Sequence, residues 1–343
     1  MDLSEVFDYA IDQEIKAMEF YERSAAQVEN VEAASLFRSL ARMEAAHRRA
    51  LENEKSVLAD LGELPRKQHP ATSAEEEAVE SWRRIAGVLK EANVELTSRH
   101  KRMAAELEAA GHIQESLLPK TAPQLPGLTI SVSCSMAARV GGDFYDFLIT
   151  PRGHLALTIA DVSGKGLPAA LTMMAIRTLW RSKIREDESP AQVLSHLSAE
   201  ATPELHLSDQ FVTLITAAYD LGDHQLTFAN AGHWPPLVCL AGEEHFMPIP
   251  SGWLPIGFDE SEDYQAHSLD LHPGSLVVFY SDGIIDARNP EGERFGEARF
   301  RELVFDAKDK SGDDIRDLVT TTVFEFCRGR QDDDQTLMII KRV

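Results

Sequence analysis

Two strongly apolar runs, 154–162 (HLALTIADV) and 275–282 (SLVVFYSD), each close on an aspartate with glycine soon after. Short, strongly apolar runs of this kind read as strands. Other strand-like runs share the same half of the sequence: LTISVSCSM, QFVTLITAAYDL, HQLTFANAG and TLMIIKR. They alternate with helix-like stretches, LPAALTMMAIRTLWRS, SPAQVLSHLSAEATPEL and DDIRDLVTTTVFEF. Leu221-Gly222-Asp223 sits between two strand runs at hairpin spacing, which favours antiparallel pairing over a doubly wound parallel sheet.

The first part of the chain has a different grammar. Leu3, Phe7, Ala10, Ile11, Met18, Tyr21 and Val28 recur at helical spacing, as do Ala33, Leu36, Phe37, Leu40, Met43, Leu51 and Leu58. A short joint near Asn30 predicts an antiparallel helical hairpin, and Leu61-Gly62-Glu63-Leu64-Pro65 stops the second helix. Residues 65–74 read as a polar linker. From 75 to 118 there is no proline, and Trp82, Ile85, Leu89, Ala92, Leu96, Met103 and Leu107 step by three and four, interrupted by Arg99. That heptad seam predicts a long helix paired in a dimeric coiled coil.

Totals restrict partners and compartment. The formal charge of -22 disfavours nucleic acid and anionic membrane. No run of roughly 18 apolar residues is long enough to span a bilayer, and the acidic start lacks the layout of a signal peptide. Cys134, Cys239 and Cys327 are odd in number and far apart, which fits a reducing cytoplasm and neither a disulfide framework nor a cysteine zinc site.

Four acidic clusters fall at strand ends or adjacent turns: Gly141-Gly142-Asp143-Phe144-Tyr145-Asp146, Ala160-Asp161-Val162-Ser163-Gly164-Lys165-Gly166, Tyr280-Ser281-Asp282-Gly283 and Asp332-Asp333-Asp334-Gln335-Thr336. One Asp-Gly at a strand end is ordinary turn chemistry. Four, two of them after the most apolar strands, point to hard-cation ligands such as those for Mg²⁺ or Mn²⁺. Two such ions activate water and clamp a phosphoryl group. The pattern alone leaves phosphatase, nuclease and cyclase open. Lys165 lacks Walker spacing, Ser163 and Ser281 have no neighbouring histidine base, and His233 in NAGH reads as a turn histidine ahead of a general acid.

From about Ala110 to Val343 the chain resembles the bacterial SpoIIE and RsbU branch of the PPM (protein phosphatase 2C-like) family. The matching stretches are HIQESLLP, RVGGDFYDF, IADVSGKGLPAAL, FVTLITAAYD, FANAGHWPPLV, LPIGF, LVVFYSDGIIDARN, RFGEARFRELV and DDDQTLMII. The resemblance implies an α/β/β/α sandwich of two antiparallel sheets flanked by helices, and a metal-dependent serine/threonine protein phosphatase. It implies that Asp161 bridges two Mn²⁺ or Mg²⁺ ions, that the Val162 carbonyl, Asp282 and Asp333 are further ligands, and that Asp143 holds metal-bound water. Asp334 is an alternative to Asp333, Arg139 is a candidate phosphate contact, and Gly164, Gly166 and Gly283 shape the loops. The implied partner is a phosphorylated anti-sigma-factor antagonist of the STAS type.

The hairpin stripes also pass through Glu14, Glu44 and His47. A glutamate on a buried seam is costly unless paired or bound to metal, and Glu-x-x-His plus a glutamate from another helix is half of a di-iron carboxylate site. IDQEIKAMEFYERSA and LFRSLARMEAAHRRALE resemble the helices of a ferritin-like, rubrerythrin-type bundle. With one hairpin per chain, the implied iron site at Glu14, Glu44 and His47 would be shared across a homodimer. The chain is thus expected to be multidomain, α and α+β: a hairpin forming half a four-helix bundle (1–64), a linker (65–74), a coiled-coil signalling helix (75–118) and a phosphatase sandwich (119–343). A metal-free dimerisation hairpin and a non-catalytic partner-switching scaffold are the alternatives.

Overall fold

A computed structural model describes residues 3–28, 31–60, 73–186 and 188–343, with side chains in the third helix described from Asn93 onward. The expected joint at Asn30, the stop at 61–65, most of the 65–74 linker, and the side chains of Trp82, Ile85, Leu89 and Ala92 lie outside the described residues. Packing divides the chain into two units, Met1–Ala92 and Asn93–Val343.

In the first unit, α1 (Leu3–Gln27) and α2 (Val31–Asp60) form an antiparallel pair. The direction is visible in the contacts: Asp8 pairs with Lys55, Glu14 approaches Glu44 and His47, and Tyr21 stacks on Phe37 at 6.3 Å. Buried Ala25, Ala34 and Ala41 let the backbones approach. Helix α3 (Ser73–Leu117) spans the division between the units.

The second unit holds two antiparallel sheets. One has the order β1 (Leu128–Ser135), β9 (Gln335–Arg342), β8 (Leu276–Tyr280), β6 (Leu237–Cys239). The other runs β2 (Phe144–Ile149), β3 (Leu155–Val162), β4 (Val212–Tyr219), β5 (Gln225–Ala231), β7 (Ala266–Asp270). Alternation along each central strand builds the layers. Leu157 and Ile159 of β3, Val277 and Phe279 of β8, and Met338 and Ile340 of β9 fill the space between the sheets. Their neighbours Ala160 and Val162 face α4 (Leu167–Lys183) and α5 (Pro190–Ser208), where Met173, Trp180 and Leu197 are buried. On the far side Val278, Tyr280 and Ile339 pack on Phe300 of α7 (Glu297–Asp306) and Ile315 of α8 (Gly312–Phe326). Both faces of these strands are dry, which is why they read as unbroken apolar runs.

The expected strand and helix runs are all present, and the structure adds β2, β6, β7, α7 and a short α6 (Asp282–Ile285). Strand β2 has an aspartate in its middle, which hid it in the sequence. Asp146 is fully buried and accepts from Arg177 at 2.8 Å and Arg181 at 2.7 Å, one turn apart on α4. It therefore fastens α4 to the sheet and is separate from the acidic centre described next.

Candidate active site

Antiparallel pairing sets the carboxylates side by side. The end of one strand lies next to the beginning of its neighbour, so Ala160 pairs with Phe144 and Tyr280 with Leu337. Asp161 near the end of β3 thereby adjoins Asp143 just before β2, and Asp282 just past β8 adjoins Asp333 and Asp334 just before β9. The stacked sheets then bring both pairs to one rim. Asp143 joins them directly: its Oδ2 accepts from Ser281 Oγ and from Thr336 Oγ1, each at 2.7 Å, and all three residues are buried. Ser281 Oγ also accepts from the Thr336 N–H at 2.9 Å. Ser281, a poor nucleophile by its sequence neighbours, holds Asp143, and the hydroxyls next to Asp282 and two residues after Asp334 were the available signal.

Crowding raises the proton affinity of the cluster. Burial, then the charges of Asp282, Asp333 and Asp334, push Asp161 up to about 7. Asp143 is held well above the usual carboxylate range, first by burial and then by Asp161, against the opposing bonds from Thr336 and Ser281. Asp282 is raised by burial and by Asp333. Lys165 offers a positive charge, its Nζ 3.0 Å from Asp333 Oδ2 and 2.7 Å from the Asp332 carbonyl. A set of carboxylates this dense is the donor chemistry that hard divalent cations complete.

The consecutive aspartates 333 and 334 have different employments. Asp334 accepts from Ala137 N–H and Gly142 N–H, both at 2.8 Å, and so ties down the loop before Asp143. Asp333 caps its own chain at Asp334 N–H and keeps Oδ2 toward Lys165. The glycines permit these approaches. A Cβ on Gly283 would fall 1.9 Å from the Asp334 carbonyl, and one on Gly142 would fall 2.6 Å from the Val162 carbonyl. Gly164 and Gly166 take positive φ values of 94° and 72°, turning the chain from β3 into α4.

Arg139 pairs with Glu108 of α3 at 3.3 Å. His233 is buried, its Nδ1 2.8 Å from Thr213 Oγ1, with reciprocal bonds between its backbone and the Asn230 amide; burial pulls it down to about 4, so it is neutral. Gln114, unassigned in the sequence reading of HIQESLLP, is buried near the end of α3 and holds both ends of Gly141: it donates to the carbonyl at 2.7 Å and accepts from the N–H at 3.1 Å.

In the first unit, ligand atoms of Glu14, Glu44 and His47 all lie within 4.8 Å of one another. His47 Nδ1 is 3.1 Å from Glu44 and 4.0 Å from Glu14. Glu14 is raised first by burial and then by its bond with Glu44. The three expected donors therefore meet within a single chain.

Comparison with known proteins gives two family matches. Residues 151–343 match the model of Stage II sporulation protein E (SpoIIE), and residues 5–116 match that of Rubrerythrin, a stretch that reaches beyond the hairpin through α3. The chain is 29% identical over 240 residues to Phosphoserine phosphatase RsbU of Bacillus subtilis (strain 168), covering 69% of this chain and 70% of that one. Its fold is similar to the SiaA-PP2C domain of Pseudomonas aeruginosa, with a TM-score of 0.63, 23% identity and coverage of 71% of this chain and 98% of that one. It is also similar to the RsbU and RsbW domains of a Mycobacterium tuberculosis protein, with a TM-score of 0.53, 27% identity and coverage of 64% and 61%.

Proposed function

Because the chain belongs to the family of Stage II sporulation protein E (SpoIIE) and is a protein-serine/threonine phosphatase of that kind, we propose that it dephosphorylates a regulatory phosphoprotein, an anti-sigma-factor antagonist of the STAS type, at the Asp161 cluster. The observation that carries the reading is the convergence of Asp161, Asp282 and Asp333 beside Lys165, with Asp161 pushed up to about 7. In this reading Asp161, the Val162 carbonyl, Asp282 and Asp333 hold two Mn²⁺ or Mg²⁺ ions. When bound, the ions supply Lewis-acid activation of water and neutralise charge on the phosphoryl oxygens. The chain's own part is preorganisation. Ser281 and Thr336 hold Asp143 in one orientation, Asp334 secures the loop that carries it, and Gly142 leaves the Val162 carbonyl unobstructed. The test is phosphate release by the full chain from a phosphoserine peptide in Mn²⁺. Chelator should stop it and Asp282→Asn should remove it; a rate indifferent to both would sink the assignment.

The N-terminal hairpin is proposed as a dimeric metal or redox sensor, with iron at Glu14, Glu44 and His47 and the second chain completing the set. Support comes from the meeting of those donors and from the raised Glu14. Pairing is supported by Leu96 and Met103, seam residues of α3 that are exposed in the single chain. A second reading, a metal-free dimerisation hairpin, is favoured by the exposure of His47. Iron content of the purified full chain, beside a Glu44→Ala/His47→Ala variant, separates the two.

A further inference from the structure

The catalytic centre adjoins an apolar shelf that none of the chemistry above uses. Phe211 lies just before β4, and its backbone is locked to Ser163: the Ser163 N–H donates to the Phe211 carbonyl at 2.9 Å, and the Phe211 N–H donates to Ser163 Oγ at 2.8 Å. Ser163 follows Asp161 by two residues, so this aromatic is anchored one register step beyond the Asp161–Thr213 and Val162–Val212 pairs. The Phe258 ring leans on it at 5.3 Å, and Phe258 is 55% exposed. The first turns of α4 run alongside, held by Thr172 Oγ1 donating to Gln210 Oε1 at 2.7 Å. They present Leu167 and Leu171, one turn apart, the latter 63% exposed. Single exposed apolar side chains are unremarkable, but several on segments tied together beside a catalytic centre mark an interaction surface.

Apart from Lys165, which is paired with Asp333, the fringe of the shelf is acidic. Asp209 stands two residues before Phe211, and Asp259 and Glu260 directly follow Phe258, all three exposed. A free phosphoester needs neither the shelf nor the fringe. A phosphoserine within a polypeptide does: to reach Asp161 its flanking residues must cross the surface around that rim. An acidic fringe on a chain of charge -22 repels acidic partners and anionic lipid, and favours a basic one.

We propose that this shelf docks the phosphoprotein substrate, and that the substrate presents apolar side chains beside its phosphoserine, fringed by lysine or arginine. The inference rests on the phosphatase reading and deepens it by naming what the substrate must carry. Rigid aromatic side chains suit such a contact because ordering them costs little.

The experiment compares p-nitrophenyl phosphate with three synthetic phosphoserine peptides in Mn²⁺: one flanked by leucine and lysine, one with serine in place of leucine, one with glutamate in place of lysine. The full chain should favour the leucine–lysine peptide in kcat/KM by about tenfold or more, the scale of burying one or two apolar side chains. The Leu171→Ser/Phe258→Ser variant should lose that preference through KM while its turnover of p-nitrophenyl phosphate holds. Equal kcat/KM for all three peptides would overturn the docking surface while leaving the phosphatase intact, as would a preference that survives in the variant. A variant that turns a dimer into a monomer by sedimentation, with peptide preference unchanged, would assign the shelf to a second copy and overturn the proposal. Absence of all turnover by the full chain would overturn the phosphatase reading, and the docking surface with it.

Discussion

Asp161 combines burial with the like charges of Asp282, Asp333 and Asp334. Its ordinary value of 3.8 rises to about 7 in the folded, cation-free chain. Between those values the native state keeps a proton that the unfolded chain has released. Stability from this group is therefore fully present below about pH 4, falls as pH rises toward 7, and is flat beyond. In chelator, the thermal midpoint of the natural sequence should decline more steeply across that window than that of Asp161→Asn, which keeps only the slope from Asp143 and Asp282; parallel curves would contradict the assignment. The same substitution should lower turnover in Mn²⁺ on the order of 10²-fold or more, as removal of one preorganised electrostatic group does elsewhere. Gly283 is a steric counterpart. The 1.9 Å approach of its would-be Cβ to the Asp334 carbonyl involves backbone, which yields poorly. Gly283→Ala should cost about 1–3 kcal/mol in denaturant unfolding and displace the Asp333–Asp334 turn.

At the scale of elements, α4 is fixed twice. Its start follows the Gly164–Gly166 turn from Asp161, and its middle is clamped by Asp146 between Arg177 and Arg181. Asp146→Ala would leave two arginines at a largely dry interface, and the expected loss is about 3–5 kcal/mol by urea unfolding. Replacing the whole triad with apolar residues of similar volume should cost far less, because the penalty comes from the orphaned charges. The end of α3 grips the catalytic loop through Gln114, whose two bonds to Gly141 sit two residues from Asp143. Gln114→Ala should cost about 1–3 kcal/mol for the unsatisfied peptide and change the Mn²⁺ concentration needed for half-maximal rate. An unchanged Mn²⁺ requirement would show that α3 does not reach the chemistry through this contact.

For the whole molecule, a sensor hairpin is expected to bias the phosphatase rate, with the chain dimeric along the α3 seam. The full chain should sediment as a homodimer, and Leu96→Glu/Met103→Glu should loosen it by placing like charges on the seam. Phosphatase rates of apo, ferrous and oxidised protein should differ, and that difference should vanish in Glu44→Ala/His47→Ala. Equal rates in every state, with iron shown bound, would leave the hairpin as a dimerisation device.

The sequence by itself determined what depends on local periodicity and on short motifs. Strands buried on both faces announce themselves as apolar runs, helices as stripes, and aspartates at strand ends as a cluster of hard ligands; the antiparallel hairpin pattern follows from turn spacing. Hence the strands, the helices and four acidic clusters were legible in the chain itself, whereas the two-sheet layering and the choice of Asp143, Asp161, Asp282 and Asp333 within those clusters came from the family resemblance. Tertiary structure alone decided which groups share a neighbour. Asp143 and Asp146 are three residues apart and look alike, yet one meets Ser281 and Thr336 across the sheets while the other meets two arginines of α4. Asp333 and Asp334 are adjacent, yet only Asp334 is absorbed by the backbone of the glycine loop. Strand β2 was hidden because a buried charge breaks the apolar pattern, and the charge is tolerable only through partners some 30 residues away. Local propensity carries no record of contacts that distant, because they exist only once the sheets have stacked and the helices have closed over them.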